Sequence, residues 1–295
     1  MILGFHHATA LASDASEVVS FVRDVLGLRL VKRTVADDDP TVGRLIFGDA
    51  TGSPGSLLSF FVAPGFLEGR RGTGQAVQLV LSVPSGERDA WRQRLAEAGV
   101  EAREGSGDTL FFTGPDGIGF GLIAAGEDSA PRIHGAVLAS CDPPATQEFL
   151  SRILGLTVAK GGYLYAGEDP LANLVLLHPG GAAVPEGVDG SGTWHHVAFR
   201  VGGLEGLDVV AGRLADAGWQ HERAVQTWFE TVSFRDPGGI LVVVATEGPG
   251  MTADEPVDAL GEGLRLPKRF EPYRDAIVQA VGPWVSGEGT QPPVA

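Results

Sequence analysis

The sequence predicts an α+β fold assembled from four β-α-β-β-β modules, and three observations carry that prediction. A unit of about sixty residues recurs four times, each with a short apolar strand, a helix, further strands and a Gly/Pro turn before the last strand. The units alternate in signature, A-B-A-B, so the chain reads as a duplicated pair. Two adjacent-histidine pairs, His6-His7 and His195-His196, stand at corresponding places in the opening strands of the first and fourth units.

In the first unit an apolar strand over 3–12 leads to a helix at about 14–26. Ser13-Asp14 supplies its cap, Val18, Val19, Phe21, Val22 and Val25 form its apolar side, and Leu26-Gly27-Leu28 stops it. The second unit ends its helix at Arg94-Leu95-Ala96-Glu97-Ala98-Gly99 and enters its last strand through Pro115-Asp116-Gly117. The third repeats the first, with a strand from Ile133 to Ser140, a helix from about Pro144 to Ile153 and a stop at Leu154-Gly155-Leu156. The fourth repeats the second through Arg213-Leu214-Ala215-Asp216-Ala217-Gly218 and Asp236-Pro237-Gly238-Gly239. Small, acidic and Pro residues between Gly126 and Pro131 break the pattern, and a Gly/Pro-rich loop at about 179–192 separates the third and fourth units. The expected division is an N-terminal domain 1–126, a C-terminal domain 131–247 carrying part of the site, and an extension 248–295 with a short helix near 273–281 and a mobile end.

A chain of 295 residues with 43% hydrophobic content can bury the core of one large or two ordinary domains. Lys and Arg number 22 against 37 Asp and Glu, and no basic cluster tracks a phosphate backbone, so no nucleic-acid partner is expected. The single cysteine, Cys141, excludes a disulfide framework and a cysteine-based zinc site and fits a reducing compartment. The longest apolar runs are of strand length and no basic leader precedes them, so the expectation is a cytoplasmic protein with no membrane partner.

Side chains alternate along a strand, so one histidine of each pair faces a given side, and one from each converges on a common point if the strands are neighbours. Trp194, Trp228 and Phe229 flank that point and suit either an aromatic pocket or the core. His134 opens the third unit at the place equivalent to His7, but Gln78 and Gly121 occupy its partner positions, which favours a structural role. His178 and His221 read as surface residues, and Arg70-Arg71 as a solvated charge pair.

Four such modules with strand-borne histidines resemble the vicinal oxygen chelate superfamily of glyoxalases, bleomycin-resistance proteins and extradiol dioxygenases. In finer detail, His6-His7-Ala8-Thr9, Gly27-Leu28-Arg29-Leu30-Val31-Lys32-Arg33-Thr34, Gly52-Ser53-Pro54-Gly55, Gly69-Arg70-Arg71-Gly72-Thr73-Gly74-Gln75, His195-His196-Val197-Ala198-Phe199 and Phe234-Arg235-Asp236-Pro237-Gly238-Gly239 resemble the two-domain ring-cleaving dioxygenases that open hydroquinones. That resemblance implies that the modules, in tandem pairs, form two vicinal-oxygen-chelate-type half-barrel domains, with the first and fourth units forming the site. It implies Fe(II), or another divalent metal such as Mn or Zn, held by two histidines and a carboxylate. Carried over by position, His7 and His196 are the metal ligands, and His6 and His195 hold or move a proton as acid/base groups. Thr9, Trp194, Gln226, Trp228, Ser233 and Val243 fall around the substrate, a small aromatic compound, and a homodimer is left open.

The chain departs from the family pattern at three places in the fourth unit. Val243 occupies the glutamate position in Ile240-Leu241-Val242-Val243-Val244-Ala245-Thr246, Gln226 the arginine position and Ser233 the tyrosine position. Glu230 has the opposite strand parity to Ser233, and Asp236 and Glu247 lie outside the strand, so the carboxylate is expected to be absent, not relocated. The implied function is extradiol-type cleavage of a hydroquinone or other dihydroxylated aromatic at an altered two-histidine metal site. The alternatives are a non-oxygenase reaction, such as a lyase, isomerase or cyclisation step, and non-catalytic binding of a small aromatic compound.

Overall fold

The first strand, β1 (Gly4–Ala12), is buried at all nine positions, as an inner strand covered on both faces must be. A computed structural model describes residues 1–105, 108–126, 130–178 and 183–287. The expected joint at 126–131 and loop at 179–192 lie partly outside the described residues, and the chain end at 288–295 wholly so.

The first unit continues with α1 (Ala15–Ser20), a π-helical turn at Phe21–Val25, β2 (Arg29–Val35), β3 (Gly43–Gly48) and β4 (Leu57–Val62). Asp14 caps α1 by accepting from the Ser16 and Glu17 amides. The second comprises β5 (Gln75–Pro84), α2 (Arg88–Glu97), β6 (Arg103–Glu104), β7 (Thr109–Thr113) and β8 (Gly119–Gly126). The third comprises β9 (Arg132–Ala139), α3 (Pro143–Leu154), β10 (Thr157–Val158), β11 (Leu164–Tyr165) and β12 (Leu174–Leu177). The fourth comprises β13 (Thr193–Val201), α4 (Leu204–Asp216), β14 (Glu222–Val225), β15 (Phe229–Arg235) and β16 (Leu241–Pro249), so all four units have the predicted order. Two short helices, α5 (Arg274–Val281) and α6 (Pro283–Ser286), follow. Among the described residues no helix is long and apolar enough to cross a membrane.

Each of the two eight-stranded sheets draws one unit from each half of the chain. The first runs β14-β15-β16-β13-β1-β4-β3-β2 and joins the fourth unit to the first; the second runs β10-β11-β12-β9-β5-β8-β7-β6 and joins the third to the second. The seams are antiparallel pairs, β1 with β13 and β5 with β9. The seam in the first sheet puts the two histidine pairs on adjacent strands.

Strand alternation separates the two faces of that first sheet. Ala8, Val197, Phe199, Val232, Phe234, Val242 and Val244 join the main core together with Val18, Val22, Leu207 and Leu214 from α1, the π-helical turn and α4. On the opposite face Ile46, Leu57, Phe229 and Ala245 form a second cluster with Met251 and Leu260 of the C-terminal extension. That extension is fastened to β2 by charge. The buried Lys32 ammonium meets Asp254 at 2.7 Å and also Glu255, and it donates to the Met251 carbonyl at 3.1 Å. Arg33 donates to the carbonyls of Gly261, at 2.7 Å, and Trp284.

Candidate functional site

A β-bulge lies at each histidine pair. On β1 two residues, His6 and His7, span the single step from Phe199 to Ala198, and on β13 His195 is the extra residue between the partners of Thr9 and Ala10. A bulge re-aims its side chains, so the strict alternation expected from the sequence is relaxed and both members of each pair touch. His6 Nδ1 lies 2.8 Å from His7 Nδ1, and His195 Nδ1 lies 2.8 Å from His196 Nδ1. The Nε2 atoms of His7 and His196 face each other at 3.1 Å.

Hydrogen bonding sets the tautomers. The Thr246 backbone carbonyl accepts from His6, whose Nδ1 is already engaged with His7. A neutral His6 donating from Nε2 has its Nδ1 lone pair free to accept from His7 Nδ1, which leaves the His7 Nε2 lone pair directed at His196. All four rings are kept neutral. Burial is the main cause throughout and lowers His6 to about 3. His7 and His196 are held well below the usual imidazole range by burial, with further lowering from neighbouring histidines and from Arg44. His195 is lowered by burial and partly raised by the charge of Asp189.

The pair opens onto a cavity of about 520 Å³. Phe61, Phe66 and Phe229 provide its aromatic walls, and Phe229 also packs on His6 and His7 at 4.9 and 5.3 Å between centroids. His195 lines it, edge-on to Phe61 at 5.7 Å, whereas His6 is buried with both ring nitrogens engaged. Gln226, Ser233 and Val243 line the cavity as well. Thr9 sits opposite His196 in the ladder but is fully buried, and its Oγ1 has no partner among the described residues.

Trp194 and Trp228 stand away from the cavity. Trp194 is completely buried in the main core, where its indole donates to the Gly119 carbonyl at 2.9 Å. The preceding Gly192 has φ +89°, and a Cβ there would come within 2.2 Å of the Asp116 carbonyl oxygen, so the histidine strand starts pressed against the turn of the second unit. Trp228 packs under Lys32 and donates to Asp254 at 2.9 Å, which places it in the anchorage of the C-terminal extension.

Sequence reasoning missed Arg44. This β3 residue is 3% exposed and lines the cavity; Nε donates to Ser59 Oγ at 3.0 Å and Nη1 to Gln226 Oε1 at 3.2 Å. The signal was an arginine inside the apolar run Leu45-Ile46-Phe47 and its preceding glycine, a charge where a buried strand has no ordinary use for one.

The two imidazoles fit two arms of a divalent metal centre. At metal–nitrogen distances of about 2.1 Å, neighbouring ligand nitrogens at a right angle stand about 3.0 Å apart, close to the observed separation. The third arm does not fit. Val243 is 6% exposed, and no group of three His, Cys, Asp or Glu side chains suited to a metal occurs among the described residues. Glu230 pairs with Arg223 at 3.2 Å, Glu247 with Arg200 at 3.5 Å, and Asp236 accepts from Thr146 at 2.5 Å and from the Ile240 amide at 2.7 Å. None substitutes for the missing carboxylate.

The other sheet has no such pair. A bulge there falls on His134, so the register aligns His134 with His6 and gives the His7 place to Gly135. Gln78 uses its amide on the Phe120 carbonyl at 2.7 Å.

Comparison with known proteins gives the family. A family model described as the Glyoxalase/Bleomycin resistance protein/Dioxygenase superfamily matches residues 4–122 and 132–244. A proposed ring-cleaving dioxygenase of Bacillus subtilis (strain 168), MhqE, is 35% identical, over 93% of this chain and 96% of its own. A chlorohydroquinone/hydroquinone 1,2-dioxygenase of Sphingobium indicum is 28% identical, over 94% and 95% respectively. The crystal structure of a proposed dioxygenase from Bacillus subtilis superposes with a TM-score of 0.88 at 30% identity, covering 96% of this chain and 97% of that one.

Proposed function

Because the chain belongs to the Glyoxalase/Bleomycin resistance protein/Dioxygenase superfamily, we propose that it cleaves the ring of a hydroquinone or another dihydroxylated aromatic in the cavity over His7 and His196. The observation that carries this reading is the 3.1 Å approach of the two Nε2 atoms at the floor of an aromatic-walled cavity of about 520 Å³, room for a single substituted ring.

The chain's own groups divide the work. Phe61 and Phe229 flank the ring and exclude water from one side. His195 has its Nδ1 on His196 and its edge in the cavity, so it is the imidazole placed to hold or move a phenolic proton. His6, remote from the cavity, orients His7. A divalent metal bound here, Fe(II), Mn or Zn, would be held by His7 and His196 and would supply a Lewis acid for a phenolic oxygen of the substrate. The lone exposed cysteine supports a reducing, cytoplasmic setting.

The test is metal analysis of freshly purified protein, followed by oxygen uptake with hydroquinones and catechols under added Fe(II). Uptake that disappears in His7→Ala and His196→Ala supports the reading. No metal retention together with no uptake for any diol overturns it. Val243 and the buried Arg44 favour a second reading, a non-oxygenase reaction or plain sequestration of a small aromatic compound. Recovery of a tightly bound aromatic without turnover identifies the sequestering case.

A further inference from the structure

Arg44 is a buried cation without a counter-ion. Its two hydrogen-bonded partners, Ser59 and Gln226, are neutral, and Nη2 has no partner among the described residues. Asp37, the acid whose charge reaches it, is instead 3.4 Å from Arg269. Taking a guanidinium out of water is costly, and folds that do so ordinarily supply a carboxylate or a ligand to meet the charge. Here the fold places no carboxylate in contact with it.

The surroundings make this guanidinium a docking group. Ser59 and Gln226 hold it from β3's neighbouring strand and from the segment before β15, which fixes its plane. Its Cζ lies 5.4 Å from the Phe61 ring and 6.0 Å from the Phe229 ring, two of the rings that wall the cavity. Val243 beside it is apolar and its hydrogen-bond partners are an alcohol and an amide, so no carboxylate touches the guanidinium. Four carboxylates also line the cavity: Asp37 is half-buried and held by Arg269, whereas Asp38, Asp39 and Glu222 are exposed, with Asp39 turned to Thr41 at 2.6 Å. Solvent screens the three exposed acids far more than it screens Arg44, and Asp37 is already committed to Arg269.

We propose that the ligand of this cavity brings its own anion, a carboxylate carried on the aromatic ring, and that Arg44 receives it. The substrate class is then a hydroxylated aromatic acid, not an uncharged diol. This rests on the reading that the cavity takes a small aromatic compound, and adds its charge. A planar guanidinium with free N–H groups matches a planar carboxylate, and the aromatic walls on either side fit the ring to which that carboxylate is attached.

The experiment is calorimetric titration of the full chain, anaerobic and in EDTA, so that neither metal nor turnover enters the measurement. The probes are 2,5-dihydroxybenzoate, hydroquinone and inorganic phosphate. The expected result is at least about tenfold tighter binding of the acid than of hydroquinone, with that ratio collapsing to about one in Arg44→Met and partly retained in Arg44→Lys. Should Arg44→Met fail to fold, Gln226→Glu provides the second variant: it gives the guanidinium an internal carboxylate and must weaken the acid at least about tenfold more than hydroquinone. Equal binding of the two aromatics in the wild type, or a preference for the acid that survives these substitutions, overturns the inference. Phosphate binding as tight as the acid overturns it too, because the occupant is then an inorganic anion. An absence of oxygen uptake leaves the ratio untouched, whereas uptake with uncharged hydroquinone and a ratio near one removes this inference alone.

Discussion

Ser233 and Val243 are register partners on β15 and β16, and both side chains open onto the histidine cavity. A glutamate at 243 therefore projects to the side on which His7 and His196 present their Nε2 atoms. Val243→Glu is expected to raise affinity for Fe(II) or Mn by at least about tenfold, since one charged arm adds at least a charge-assisted contact. Without metal the new carboxylate is buried and the variant melts below the wild type; added metal reverses that loss. Melting curves in EDTA and in metal check this, and a Tm indifferent to metal counts against the placement.

The neutral histidines predict an acid-sensitive fold in EDTA. His6 falls from 6.5 to about 3 on folding, and His7 and His196 move in the same direction. The folded pKa values are depressed, so below about 6.5 the unfolded chain binds more protons and gains on the folded one. Stability is flat above that pH for these groups and falls as pH drops toward 3, by about 1.4 kcal/mol per unit for each fully shifted imidazole. Urea unfolding at pH 7.5, 6.5 and 5.5 measures the slope, and identical midpoints would contradict it.

His6 is expected to act through His7. Replacing it with Phe removes the acceptor for the His7 Nδ1–H and leaves a buried donor unpaired, a loss of about 1–3 kcal/mol. Nitrogen-15 spectra of the imidazoles give the more specific readout, because the His7 tautomer loses its determinant in His6→Phe. An unchanged His7 tautomer defeats the assignment.

Lys32 and Glu255 have completely buried side chains and pair with each other. Glu255→Gln leaves the ammonium with Asp254 as its only carboxylate and should cost about 3–5 kcal/mol. The double variant Lys32→Met with Glu255→Leu should recover part of that loss, because no fully buried charge is left unpaired and the partners that are released, Asp254 and Arg265, both reach solvent. Denaturant midpoints of the two variants decide the comparison.

The sequence carried the module order through its periodicity, and the family resemblance implied both the meeting of the first and fourth units, which share one sheet, and a valine at the glutamate position. What it did not carry depends on register. The bulges at His6 and His195 are insertions in one strand relative to another, invisible until β1 and β13 are paired. The same blindness put His134 at the place of His7, when its bulge aligns it with His6. Trp194 and Trp228 looked like pocket aromatics from proximity in sequence, yet one serves the core and the other the C-terminal anchorage. Arg44 was passed over because an arginine within an apolar strand has meaning only once its neighbours across β4 and before β15 are known.

The histidines that meet at 3.1 Å are 189 positions apart, and the strands bearing them are direct neighbours. During synthesis β1 emerges early and has no partner for its inner edge until β13 has been made, almost two hundred residues later. An unpaired, apolar strand edge is a template for wrong partners, so this molecule is most exposed to aggregation while it is still on the ribosome. A premature stop anywhere before β13 yields a product with no site, however well its first two modules fold. Quality control and activity thus hang on the same event, the closing of one seam between an early strand and a late one.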